Sequence, residues 1–360
     1  MITTTDLDGL TDRDWQGADA GAGPVRIAMV GLGWWTRDRA IPAVGSARFC
    51  ETTVVVSSST EKADEAAAGH PTIERAISYE EFHDGTAVDA YDAVYVATPN
   101  TTHPQYVATA AEFDKAILCE KPMADTVENA EELVDAAGNA TLMIAYRMHT
   151  EPAVRRMREL VRDGFVGSVV EVRGRMSQRL LDMIPDDDQW RLDPDLSGYG
   201  TSVMDLGIYP LNTTRFVLDS DPIRAQASMS SESEGFESMP DERASFQLDF
   251  PDNVVASCAA SQNAFKSDSF EVVGTDGRLR LENAFHSADA RELTLAREGV
   301  RTTIDVTPVD QMIEEFDYFA DRVLRGESPH PDGEHGLVDM HALKAIYEAA
   351  ERDEPVSIDA

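Results

Sequence analysis

Only five of the 31 basic residues in this chain are lysines, and one of them, Lys121, ends the apolar run Ala116-Ile117-Leu118-Cys119-Glu120-Lys121-Pro122. An ammonium at the mouth of a buried strand can hold a hydroxyl or an anion, or stabilise the ionised form of a neighbouring acid. The simpler alternative is a strand-ending lysine that pairs with a carboxylate. Pro122 restricts the backbone next to it, and a cis Lys-Pro bond is within its repertoire. A second group with chemical potential is Gly31-Leu32-Gly33-Trp34-Trp35-Thr36. Its first two glycines suit a tight turn and a close backbone approach to pyrophosphate at a helix N-terminus. Thr36 stands where the dinucleotide fingerprint has its third glycine or alanine.

Two further stretches belong to the same chemistry. The run Ser57-Ser58-Ser59-Thr60-Glu61-Lys62 ends an apolar segment with no carboxylate at its tip. An NAD site places Asp or Glu there for the ribose 2′-hydroxyl, whereas hydroxyl donors and Lys62 suit the 2′-phosphate of NADP. The same serines are also good caps for a following helix, and the two roles are compatible. The run Thr98-Pro99-Asn100-Thr101-Thr102-His103 ends another apolar segment and should border the nicotinamide ribose. His103 either reaches the cofactor or opens the next helix.

These residues need elements that bring them to one edge. From Val25 the sequence alternates apolar strands (25–33, 52–59, 91–100, 115–122 and 140–148) with Ala/Glu-rich helical stretches such as 60–69 and 126–138. Such near-continuous apolar strands predict a doubly wound parallel sheet, a Rossmann domain over 24–147. Residues 148–360 read as an α+β domain with a large, mainly antiparallel open sheet. Eight strand-like runs lie between 169 and 307, interrupted by the helical segment 202–218 and followed by two closing helices. Gly274-Thr275-Asp276-Gly277 suits a hairpin connection. The last helix is expected to return to the Rossmann domain, and residues 1–23 form an N-terminal arm without periodicity.

Composition narrows the setting. The net charge of −35, carried by 66 acidic residues spread along the chain, suits either an acidic surface for a basic partner or adaptation to molar salt. The even spread and scarce lysine favour salt, where a Debye length of about 3 Å suppresses self-repulsion. Nucleic-acid binding needs clustered positive charge and is excluded. No apolar run approaches the length of a membrane span, and the N-terminus has no signal-peptide pattern. Cys50, Cys119 and Cys258 are too few and too scattered for a disulfide framework. The expectation is a cytoplasmic protein.

The segments "VGLGWW", "ATPNTTH", "CEKP", "YRMHTEP", "DQWRL", "VMDLGIYPLNTTRF" and "EHGLVDMHALKAIYEAA" together resemble the glucose–fructose oxidoreductase/inositol dehydrogenase family. The likeness runs from about residue 25 to about residue 350, nearly the whole chain. It implies that Lys121 sits beside the nicotinamide and the substrate hydroxyl. It further implies that Asp205 and Tyr209, four apart on one helix face, complete the catalytic set. Cofactor contacts would fall to Gly31, Gly33, Trp34, Trp35, Ser57, Ser58, Ser59, Lys62, Thr98, Pro99, Asn100, His103, Glu120, Lys121, Arg147, Trp190 and Arg191. The Gln189-Trp190-Arg191 and Tyr146-Arg147 segments could instead tie the two domains together. The implied activity is oxidation of an aldose at C1 by NADP, with D-xylose leading and glucose oxidation or glucose–fructose exchange as the alternative. A homodimer or homotetramer is the assembly typical of such enzymes. A non-catalytic nucleotide sensor is the rival from another class.

The acid–base chemistry fits. A phenol, with a pKa near ~10, becomes a useful base when an adjacent ammonium stabilises its phenolate. Tyr209 is thus expected as general base, Lys121 as its activator and Asp205 as an orienting group, although Lys121 could take the proton itself. No Tyr-x-x-x-Lys occurs in the chain. Residues His330 to His335 hold several potential ligands but read as a loop entering a helix, so no metal is expected.

Overall fold

The computed structural model describes residues 13, 15, 16, 23–286 and 290–359. Most of the expected N-terminal arm therefore lies outside the described residues. The chain divides into two compact units, Asp14–Arg147 with Asp310–Leu337, and Met148–Val309 with Val338–Ala360.

The first unit is built on six strands: β1 (Val25–Val30), β2 (Cys50–Val56), β3 (Arg75–Ile77), β4 (Ala93–Val96), β5 (Ala116–Cys119) and β6 (Leu142–Ile144). They run in the order β3-β2-β1-β4-β5-β6, and every pairing is parallel. Their continuous apolar runs follow from burial on both faces. The sequence reading missed β3, a three-residue edge strand with an exposed first residue and no continuous apolar run. Helix Gln311–Arg325 places Phe316 and Phe319 in the same core as Ile27, Met29 and Leu118. Trp15 packs edge-on against Tyr318 of that helix, with ring centroids 5.4 Å apart. The start of the last helix also rests here, because Gly336 leaves no room for a side chain beside Ile144 and Met123.

Parallel pairing sets every strand-to-helix turn at one edge. The ladder continues beyond the strands: Gly31 donates to Val56 (3.1 Å), Ala97 to Val30 (2.9 Å), Glu120 to Val96 (2.9 Å) and Ala145 to Cys119 (2.8 Å). His103 ties two of these turns together. It opens helix His103–Glu112, is fully buried, and has Nε2 2.9 Å from the Thr98 carbonyl and Nδ1 3.3 Å from that of Met123. Burial lowers its pKa from 6.5 in spite of these carbonyls.

The second unit carries nine strands: β7 (Val169–Arg179), β8 (Arg224–Ser230), β9 (Arg243–Asp249), β10 (Val255–Ser261), β11 (Asn263–Gly274), β12 (Gly277–Glu282), β13 (Arg291–Arg297), β14 (Val300–Val306) and β15 (Val356–Ser357). Their order is β14-β13-β12-β11-β7-β10-β9-β8-β15. β7 and β10 pair in parallel, while β11 and β12 form the hairpin expected at residues 274–277. β9 and β10 alternate buried and exposed positions, as a sheet with one covered face requires. Helix Ile208–Leu218 lies on the covered face, and Gly174 of β7 permits the approach: a Cβ there would stand 2.4 Å from Pro210 Cβ. Behind it, Asp339 accepts from Asn212 (2.6 Å) and Arg215 (2.7 Å), all three buried. Among the described residues no helix is long and apolar enough to cross a membrane.

Two outcomes follow. Gly174→Ala should push the helix off β7 and cost about 1–3 kcal/mol of stability, read as a lower denaturation midpoint; an unchanged midpoint would contradict the packing. For His103 the folded-state pKa is depressed, so the unfolded chain takes up a proton first as pH falls below 6.5. The wild type should therefore lose stability on acidification through that value more steeply than His103→Gln, and equal slopes would refute the assignment.

Candidate active site

In the first unit the glycine turn has the shape a dinucleotide needs. Gly31 has φ +94°, and a Cβ on it would meet the Ala97 carbonyl oxygen at 2.5 Å. Only glycine fits between that turn and the next. Gly33 differs: it is exposed, and a Cβ would meet nothing within 4 Å. That open face at the helix start is where a pyrophosphate can approach the backbone. The departure at Thr36 coincides with a π-helical stretch, Thr36–Ala40. Such widened turns occur often at functional sites, and here one takes in the larger side chain. The hydroxyl of Thr36 is buried with no hydrogen-bond partner.

At the end of β2 the serines divide their work. Ser57, expected as a cofactor contact, is buried, and its hydroxyl accepts from the Ser59 amide at 3.2 Å, closing the turn. Ser59 caps helix Thr60–Gly69 by accepting from the Lys62 amide at 3.3 Å. Ser58 and Lys62 are exposed, and no carboxylate occupies the strand tip. This donor set fits a 2′-phosphate and would leave a bare ribose hydroxyl without its usual acceptor.

The third turn is held from within. Thr102 Oγ1 donates to Thr98 Oγ1 at 2.8 Å, Pro99 leads into a short 3₁₀ turn, and Asn100 is buried. His103 was expected among the cofactor contacts; its complete burial leaves it no surface to offer, and it positions the Thr98 and Met123 backbones instead.

At the end of β5 the Lys121-Pro122 bond is cis, and Lys121 is partly buried. Glu120, half-buried, is engaged by its neighbours. Its Oε1 accepts from Tyr95 (2.5 Å) and Trp35 Nε1 (3.0 Å), and its Oε2 accepts from the Lys121 amide at 3.2 Å. Trp35 therefore has its polar atom committed and only its ring available, with the Arg147 guanidinium 5.4 Å from that ring. The Trp34 ring meets it edge-on at 5.5 Å. Sequence reasoning missed Glu315, buried on helix Gln311–Arg325. Burial holds its carboxyl well above the usual range, Glu120 adds to the rise, and Arg147 and Lys121 oppose it. Nothing in the helical periodicity marks this glutamate as different from exposed ones.

In the second unit Asp205 lies in a π-helical stretch, Val203–Gly207, and Tyr209 in the first turn of the α-helix that follows. The expected α-helical i,i+4 relation is modified, since hydrogen bonds reaching i+5 leave four residues short of one turn. Asp205 Oδ2 accepts from Gln262 Nε2 (2.8 Å) and from Arg191 Nε (3.3 Å). Arg191 also lies over the Trp190 ring at 4.4 Å. Arg191, expected to hold cofactor, is thus committed at least partly to Asp205. Gln189 is a local brace, with its amide donating to the Asp186 carbonyl at 3.0 Å. Tyr209 is 9% exposed and packs its ring against Phe285 at 5.8 Å. Gln262 gave no signal in the sequence, because a buried strand-end glutamine looks like any other. Among the described residues the one carboxylate/His/Cys cluster with metal-like spacing is Asp186-Asp187-Asp188, which is exposed and has no histidine.

Comparison with known proteins identifies both domains. Residues 25–147 match the model described as an oxidoreductase family with an NAD-binding Rossmann fold, and residues 154–280 match the GFO/IDH/MocA C-terminal domain. The chain is 54% identical to a D-xylose 1-dehydrogenase [NADP(+)] of Haloarcula marismortui, over 98% of each chain. It is 33% identical to D-xylose 1-dehydrogenase (NADP(+)) 2 of Haloferax volcanii, covering 89% of this chain and 95% of that one. Among solved structures it resembles an aldose–aldose oxidoreductase from Caulobacter crescentus crystallised with glycerol, with TM-score 0.86, 29% identity, and coverage of 93% and 99% of the two chains. A glycine turn, a β5 lysine and an Asp/Tyr helix, on two domains that each match their family model, make this chain a member of the GFO/IDH/MocA oxidoreductase family.

Proposed function

We propose that the chain is an NADP-dependent aldose 1-dehydrogenase that oxidises D-xylose to its lactone. The observation carrying the substrate is the likeness, over nearly the full length, to the Haloarcula D-xylose enzyme. The cofactor reading rests on the exposed Ser58 and Lys62 at a β2 tip without a carboxylate. When bound, the nicotinamide supplies a hydride acceptor. The protein's part is to orient the sugar and move the C1 hydroxyl proton. Tyr209 is assigned as the proton acceptor, Lys121 as the cation that stabilises its phenolate and anchors the hydroxyl, and Asp205 as the group that fixes the helix side through Arg191 and Gln262.

The likeness to the Caulobacter aldose–aldose oxidoreductase supports a second reading, in which one sugar is oxidised and another reduced on retained cofactor. The charge of −35 supports a protein working in molar salt. We further assign it to the cytoplasm as a homo-oligomer.

The test is a rate survey in high salt with D-xylose, D-glucose and D-fructose, each with NADP and NAD. D-xylose with NADP should lead, and failure of every aldose to reduce either cofactor would sink the proposal in favour of a nucleotide sensor. Tyr209→Phe should lower kcat by roughly 10²- to 10⁴-fold while NADP still binds. Lys121→Met should lower it at least as far. Near-normal turnover in either variant would remove that residue from the mechanism.

A further inference from the structure

The segment ahead of the Asp205–Tyr209 helix is held by a group that the proposed chemistry does not use. Asp241 is fully buried in the connection between β8 and β9. Its Oδ1 accepts from the Thr201 amide at 2.7 Å, and its Oδ2 from the Val203 amide at 2.7 Å and the Tyr347 hydroxyl at 2.6 Å. Gly200 completes the clasp: a Cβ there would stand 2.4 Å from Asp241 Oδ1 and 2.5 Å from the Tyr347 hydroxyl. The next residue, Ser202, is pinned separately. Its hydroxyl donates to the Glu242 carbonyl at 2.9 Å and accepts from the Gln262 amide at 2.9 Å, and Gln262 is also the donor to Asp205.

We propose that Asp241 is a positioning residue for the proposed catalytic pair, its carboxylate fixing the helix start from which Asp205 and Tyr209 are presented. The inference rests on the mechanism assigned above. A helix start held by two backbone donors on one carboxylate has little freedom to rotate, and displacement of a catalytic group by about 1 Å can cost roughly 100-fold in rate.

The clasp also has a pH range. Burial lifts the Asp241 carboxyl from 3.8 to about 6, against the pull of the Tyr347 hydroxyl and the Val203 and Thr201 amides. Of the groups around it, Tyr347 comes from the last helix and is itself pushed well up by burial and by Asp241. Segment 200–203 offers backbone amides. Glu242, next in the chain, turns to Ser233 and Asn263, and Arg243 pairs with Glu242 at 3.0 Å. Asp205 is occupied by Arg191 and Gln262. Protonation of Asp241 removes the charge that strengthens its three bonds and sets a new O–H among groups that are themselves donors, so the clasp weakens. The clasp is strongest above about pH 6 and loosens as pH falls through that value.

Two variants test this, compared below the melting temperature of each. Asp241→Asn puts an N–H group among donors and should lower kcat for D-xylose by roughly 10- to 100-fold while NADP affinity, read by fluorescence titration, is unchanged. Tyr347→Phe removes the strongest counterweight to burial, so the acid limb of the kcat profile should move to higher pH. Full kcat in Asp241→Asn, or an acid limb unmoved in Tyr347→Phe, overturns the proposal. Should the wild type oxidise no aldose, the proposed activity fails on its own, and hydrogen exchange decides the positioning claim. Exchange at 203–209 should then be faster in Asp241→Asn with 36–44 unaltered, and equal exchange overturns it.

Discussion

A carboxylate taken out of water costs several kcal/mol unless donors meet it, and the turns that matter in this protein are fixed by carboxylates so met. Glu120 gathers the Trp35 indole and the Tyr95 hydroxyl beneath the glycine turn. Asp241 gathers the amides that begin the Asp205–Tyr209 helix. Glu242 resists burial by accepting from the Glu232 and Ser233 amides, the Ser233 hydroxyl and Asn263, which hold its carboxyl down to about 2. Each of these acids is worth more as an anchor than as a charge. A chain so rich in Asp and Glu has used some of them as internal fixings and left the rest to its solvated surface.

The same logic separates residues left open to solvent from those that hold the turns together. Ser58 and Lys62 face solvent, while Ser57 and Ser59 shape the turn between them. Gly33 leaves space open, whereas Gly31 exists because the Ala97 carbonyl leaves none. His103 is buried between two carbonyls and, when neutral, can donate to only one of them. Sequence alone groups all of these as cofactor residues because they are close along the chain to the strand ends.

Much of the fold was legible. Five of the six strands of the first unit and β7 to β14 of the second were each readable, since burial on two faces or one leaves a continuous or alternating pattern. The two strands that escaped, β3 and β15, are short sheet-edge strands without a buried apolar run, whereas β6, as short as β3, is buried throughout. The π-helical stretches at Thr36–Ala40 and Val203–Gly207 escaped as well. An extra residue in a turn changes hydrogen bonding without changing which residue types are favoured.

The site was legible in part for the same reason. The sequence by itself determined which chemical groups are present and which edge of the parallel sheet must receive Lys121, because strand period and parallel pairing leave one place for it. It also determined the acidic surface and the glycines of the nucleotide turn. Tertiary structure alone decided which acids are internal. Glu315, Asp241 and Gln262 come from segments remote from the groups they serve, and in sequence they look like their exposed neighbours. Their role arises only when folding removes water, for a buried polar group is defined by the donors and acceptors that packing brings to it.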